Sequence, residues 1–187
     1  LYLKFGIGPN SLSSHIYDLT GIEDFMAITL LSIYGNNIAT LDLSNNAALE
    51  YLNCRVNNLT SLNVSGCTAL TTLHCYFNQL TILDVSTNTA LIDLNCQDNQ
   101  LTSLDVSNNT ALTYLLVYNN LLTSLDVSQN TVLTAFRCDN NQLTSLNLKN
   151  INYFNIGLNT TQNPALVCIE VSDSTVATNA LSNGIDS

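Results

Sequence analysis

The sequence predicts a mainly β solenoid of about eight units. A parallel β-sheet lies on one face, turns and short extended segments on the other, with few or no helices. Three observations carry this. First, apolar residues recur at a fixed step: Leu49, Leu70, Leu91, Leu112 and Leu133 lie 21 residues apart, as do Leu52, Leu73, Leu94, Leu115 and Phe136. Chance does not hold such columns in register, and a period of this size marks a repeat architecture. Second, each unit alternates, as in Leu94-x-Cys96, which places two side chains on one face of a short strand. Third, so short a unit leaves no room for a helix of useful length.

The units begin at Pro9, Ile28, Leu49, Leu70, Leu91, Leu112, Leu133 and Ile151. The terminal units are irregular in length, as expected where end repeats cap a stack. Residues 1–27 read as an N-terminal cap with the first irregular unit, 28–159 as regular repeats and 160–187 as a C-terminal cap and tail. No linker interrupts them, so 1–187 reads as one domain. Each strand is followed by an asparagine, from Asn36 and Asn57 through Asn78, Asn99, Asn120 and Asn141 to Asn159. Its amide suits a turn whose backbone groups need partners. On the far side Leu62-x-Val64 and Leu83-x-Val85 alternate as short extended segments.

One unit reads Leu91-x-x-Leu94-x-Cys96-x-x-Asn99-x-Leu101, and its second half lies in the phrase LTSLDVS. This resembles the leucine-rich-repeat consensus, in the short 21-residue bacterial class. Secreted Bacteroidota surface proteins of that class are similar, down to the opening phrase DLTGIEDF at 18–25 and the closing phrase NPALVCIEV at 163–171. The resemblance covers residues 9–171. It implies a right-handed leucine-rich-repeat solenoid, export and surface display, and places Cys168 in the cap. It does not identify a ligand.

Composition narrows the partners. Four Lys+Arg against fourteen Asp+Glu give a net charge of −10. Such a chain repels phosphate backbones and anionic membrane surfaces, so no nucleic acid is expected. No apolar run approaches the ~20 residues of a membrane span. No signal peptide is visible. The first residue, Leu1, is not methionine, which reads as a processed or trimmed fragment and leaves a lost secretion signal open.

Several columns invite chemistry. Cys54, Cys75, Cys96 and Cys138 share an inward column with Val117; the valine marks the slot as apolar, and cysteine fills such slots well. Parallel side chains do not converge on a disulfide or a metal, so buried free thiols are expected. Asp42, Asp84, Asp105 and Asp126 form an outward column with Asn63 and Asn147. Calcium is one reading; backbone capping by Asp before Ser is the simpler one. The threonines at 60, 81, 102, 123 and 144 read as solvated turn residues. His15 and His74 lie three units apart, about 14 Å along the stack, with no nucleophile placed beside either. No enzyme, cofactor or metal is expected.

The outward strand positions remain. Six of the eight tyrosines fall there, Tyr153 included. Tyr34, Tyr76 and Tyr118 recur every second unit, about 9.6 Å apart, with Arg55 between the first two. The expected ligand-binding residues are Tyr34, Tyr51, Arg55, His74, Tyr76, Phe77, Gln97, Tyr114, Tyr118 and Arg137. Tyrosine offers an apolar ring and a hydroxyl at low entropic cost, though it also simply suits strands. The expectation is a secreted or cell-surface binding and adhesion module whose ligand is an extracellular polysaccharide or a protein. The alternative is a structural stalk, adhesin or filament subunit that self-associates through its solenoid ends.

Overall fold

The computed structural model describes residues 2–4, 15–151 and 157–172. Three-residue strands at Leu30–Ser32, Tyr51–Asn53, Thr72–His74, Asp93–Asn95, Tyr114–Leu116 and Ala135–Arg137 stack in chain order. All pair in parallel, in steps of one repeat: Leu31, Leu52, Leu73, Leu94, Leu115 and Phe136 stand beside one another. Each contributes one turn of a parallel solenoid of about six turns; the expected count of eight units rests in part on residues 9–14 and 152–156, which lie outside the described residues. A single turn has nothing to bury its leucines against; stacking supplies that surface at about 1.5–3 kcal/mol for each fully buried side chain.

Both ends differ from the sequence-based register. The sequence-based count opens the first unit at Pro9. Residues 9–14 lie outside the described residues, and the strand beside Leu30–Ser32 is Tyr2–Lys4, with Leu3 opposite Leu31 and packed on the core. At the other end Ile151 does not open a unit. It is buried one repeat beyond Asn130, and its N–H donates to the Leu148 carbonyl as that of Asn130 donates to the Val127 carbonyl. The coil after Ala135–Arg137 bridges at Asn159, beside Arg137, and the turn asparagine there is Asn163 in place of Asn159. An extra residue in that coil shifts the register, so counting by 21 misses it.

The asparagine column holds the coils together. Asn99 donates its Nδ2 to the carbonyls of Cys96, Gln97 and, one coil back, Cys75, each at 3.1 Å. Its Oδ1 accepts the Leu80 N–H at 3.0 Å. Asn57, Asn78, Asn120, Asn141 and Asn163 repeat the arrangement. A second buried column was not anticipated: Asn46, Asn88, Asn109 and Asn130, all fully buried. Asn109, for example, donates to Val85 at 3.0 Å and Asn88 at 2.9 Å. Cys67 occupies the same column, its Sγ 3.3 Å from the Leu43 carbonyl.

The cysteine column is inward as expected. Cys54, Cys75, Cys96, Val117 and Cys138 are all fully buried, and the cysteines are free thiols. On the far side short strands form two small parallel sheets, Thr40–Asp42 with Ser61–Asn63, and Ser124–Asp126 with Ser145–Asn147 and Cys168–Glu170. The phrase DLTGIEDF contains a short 3-10 helix, Ile22–Asp24, entered through Gly21 at φ 95°, a left-handed conformation that glycine adopts without steric cost.

Candidate functional site

Directly before each column asparagine the chain turns through a left-handed residue. The φ values are 71° at Gly35, 54° at Val56, 53° at Phe77, 51° at Asp98, 54° at Asn119, 51° at Asn140 and 56° at Gln162. Inter-coil bonds fix these residues: Val56 N–H donates to Tyr76, Asp98 N–H to Tyr118 and Asn119 N–H to Asp139, at 2.9–3.1 Å. Glycine, aspartate and asparagine tolerate such a turn; valine and phenylalanine do so at a cost. Yet Val56 and Phe77 are 46% and 52% exposed, so neither recovers that cost in the core.

Beside them lies the densest cluster on the sheet face. The Arg55 guanidinium sits over the Tyr34 ring, 5.0 Å from its centroid, and over the Tyr76 ring at 5.4 Å. Its Nη1 donates to the Tyr76 hydroxyl. Tyr76 meets Phe77 edge-on at 5.7 Å and His74 at 6.2 Å, and His74 meets Tyr51 edge-on at 6.0 Å. The His74 Nε2 lies 3.0 Å from Asp93. Six of the expected residues, Tyr34, Tyr51, Arg55, His74, Tyr76 and Phe77, are therefore one connected group.

Of the other four, Gln97, Tyr118 and Arg137 form a second group. Arg137 lies 4.1 Å over the Tyr118 ring and donates twice to Asp139, at 2.9 and 2.8 Å. The Asp139 hydrogen bond, the larger cause, raises the Arg137 pKa above its ordinary value. Burial raises that of Tyr118. Gln97 was read as outward, but it is only 8% exposed and donates to Asp98 at 3.0 Å. Asn53 and Asp139 are likewise nearly covered, the first beside Tyr51 and the second paired with Arg137 of its own coil. Asp98, Asn119 and Asn140 then form a hydrogen-bonded row at 2.7 and 2.6 Å. Tyr114 stands at the edge, 50% exposed. Tyr153 lies outside the described residues.

The thiols and the carboxylate column have other occupations. Burial pushes the Cys54 and Cys96 thiols up to about 12 and the Cys75 thiol well above its usual value. Cys75 faces inward while His74 faces out. In the aspartate column one oxygen of each side chain accepts the N–H two residues on: Asp42 from Ser44, Asp84 from Ser86 and Asp105 from Ser107, each at 2.9 Å. Bonds from the serine hydroxyls and N–H groups hold the three carboxyls below the usual carboxylate range, the hydroxyl acting more strongly at Asp84 and Asp105 and the N–H at Asp42. Asn63 and Asn147 make the same turn, so the column is explained by backbone capping. Among the described residues no group of three or more histidine, cysteine, aspartate or glutamate side chains is arranged to hold a metal.

No protein-family model matches the sequence, and no curated protein sequence matches it. Solved structures do. The functional domain of InlJ from Listeria monocytogenes, described as including a cysteine ladder, is 30% identical over 91% of this chain and 43% of its own, with a TM-score of 0.55. An internalin, InlF, from Listeria monocytogenes is 18% identical over 98% of this chain and 61% of its own, with a TM-score of 0.59. A leucine-rich-repeat protein of Leptospira interrogans is 21% identical over 83% of this chain and 46% of its own, with a TM-score of 0.57. The chain thus spans between 43% and 61% of the length of these structures. These neighbours are bacterial leucine-rich-repeat proteins, and together with the parallel solenoid they support a leucine-rich-repeat family for this chain.

Proposed function

We propose that the chain is an extracellular protein-binding module of the adhesion type, and that Tyr34, Tyr51, Arg55, His74, Tyr76 and Phe77, with Val56, form the centre of its binding face. The internalin-like neighbours suggest such a module. The single observation that carries the site is the pair Val56 and Phe77. Left-handed backbone at a β-branched or bulky residue is strained, and strain that persists on an exposed surface points to use. Exposed apolar residues rimmed by aromatic and polar groups are what a protein interface presents at its centre. A polysaccharide fits less well, because sugars stack on open ring faces and the Arg55 guanidinium already lies against those of Tyr34 and Tyr76.

Tyr114, Tyr118 and Arg137 form a second patch toward the end of the sheet, with Gln97 supporting it from beneath. We read it as the rim, since Arg137 is already neutralised by Asp139. Among the described residues no helix is long and apolar enough to cross a membrane.

The test is selection of displayed peptides on the wild-type chain, compared with the Val56→Asn/Phe77→Asn variant. Asparagine keeps the turn and removes the apolar contact. Enriched peptides that bind the wild type and not the variant support the reading. Peptides that bind both equally, or retention on a polysaccharide panel without any peptide enrichment, would overturn it.

A further inference from the structure

Three of the four cations of this chain have described side chains, and two of them are matched by a carboxylate. Arg137 is paired with Asp139 and Lys149 with Glu170. Arg55 is different. Among the described residues its guanidinium has no carboxylate partner, although fourteen acidic residues are available. Its contacts are two tyrosine rings and one donated hydrogen bond, to the Tyr76 hydroxyl. A guanidinium carries five N–H donors in a fixed fork, so most of them have no acceptor within the described chain. The tyrosines come from the coils on either side and hold the group in place, which lowers the entropy lost when it engages a ligand.

Val56 follows Arg55 directly in the chain, and the Phe77 ring meets the Tyr76 ring that holds the fork; both side chains are exposed. We propose that Arg55 anchors a carboxylate of the partner protein, and that Val56 and Phe77 receive an apolar side chain adjacent to it. The ligand is thus an aspartate or glutamate flanked by an aliphatic or aromatic residue. This rests on the reading of the face as a protein-binding site and goes further by naming the chemistry recognised. One unmatched guanidinium suits a single negative charge; phosphate recognition uses clusters of arginines. Planar, two-pronged pairing with a carboxylate also gives orientation, which a point charge does not.

The experiment compares two capped pentapeptides, glycine–leucine–glutamate–leucine–glycine and its glutamine counterpart, by NMR titration of the full chain. The probes are the Arg55 side-chain N–H signal and the backbone amides of Val56 and Phe77. The glutamate peptide is expected to shift all three saturably, and the glutamine peptide to bind about tenfold or more weakly, as the loss of a charge-assisted pair requires. Arg55→Gln should erase the difference between the peptides, and Arg55→Lys should restore part of it. Thermal melting of each variant checks that the face remains folded. Equal binding of both peptides, lost only in Val56→Asn/Phe77→Asn, would overturn the carboxylate assignment while leaving the protein-binding face intact. Loss of binding to both peptides alike in Arg55→Gln would overturn it too, marking Arg55 as a packing residue. No shift with either peptide at millimolar concentration would also overturn it, whereas the peptide selection on the Val56→Asn/Phe77→Asn variant decides the face itself.

Discussion

Val56 is the residue at which local preference and actual conformation stand furthest apart. Its φ of 54° is one that glycine, aspartate and asparagine fill in four other coils, and a β-branched side chain there is crowded against its own backbone. Val56→Asn should therefore raise stability by about 1 kcal/mol, the scale of the left-handed penalty, less whatever packing the half-exposed side chain contributes. Thermal melting measures this directly. A lower melting temperature in the variant would mean that valine contributes more contact than strain, and the argument from strain to function would fail. A stabilised variant that has also lost its ligand is the expected pattern for a site where function opposes stability.

At the scale of the element, the cysteine column behaves as a packed apolar row with ionisable hydrogens. Cys54 and Cys96 keep their protons in the folded chain up to about pH 12, against an ordinary thiol value of 9.0. The unfolded chain releases those protons first, so the stability they support is complete below pH 9 and is lost as pH rises toward 12. Val117 shows that valine fits the slot. The Cys54→Val/Cys96→Val variant should melt close to wild type at neutral pH, since near-isosteric apolar swaps cost little. Above pH 9 its melting temperature should fall less steeply under reducing conditions. Parallel slopes would show that these thiols do not ionise differently on unfolding. Columns of this kind were legible in the sequence because stacking repeats one environment, so Leu52, Asn57 and Cys54 each predict their successors. The register failed where a column is broken. Cys67 and Ile151 interrupt the second asparagine row, so Asn46, Asn88, Asn109 and Asn130 did not stand out. One extra residue before Asn159 moved the turn to Asn163. The left-handed turn was half written in Gly35, Asp98, Asn119 and Asn140, and hidden by Val56, Phe77 and Gln162, which depart from it. Of the site, the strand face and its tyrosines were legible from period and alternation. Which of them join through Arg55 and which are covered, as Gln97 is, depends on side-chain direction that spacing does not encode.

Over the whole molecule the proposed anchor is a local cation on a strongly acidic body. The chain carries a net charge of −10, while Arg55 acts only at contact. An approaching acidic segment therefore meets repulsion at long range and attraction at short range. Salt acts on the two unequally: the Debye length is about 10 Å at 0.1 M and about 3 Å at 1 M, so added salt removes the long-range repulsion before it weakens a pair held between two tyrosine rings. The association rate of an acidic peptide selected on this face should therefore rise with ionic strength, the reverse of the behaviour of electrostatically steered partners. Dissociation should quicken only modestly. Stopped-flow mixing across a salt series measures both rates. An association rate that falls with salt would mean that the field at the face is positive despite the net charge, and that Arg55 and its surroundings steer the ligand as well as hold it.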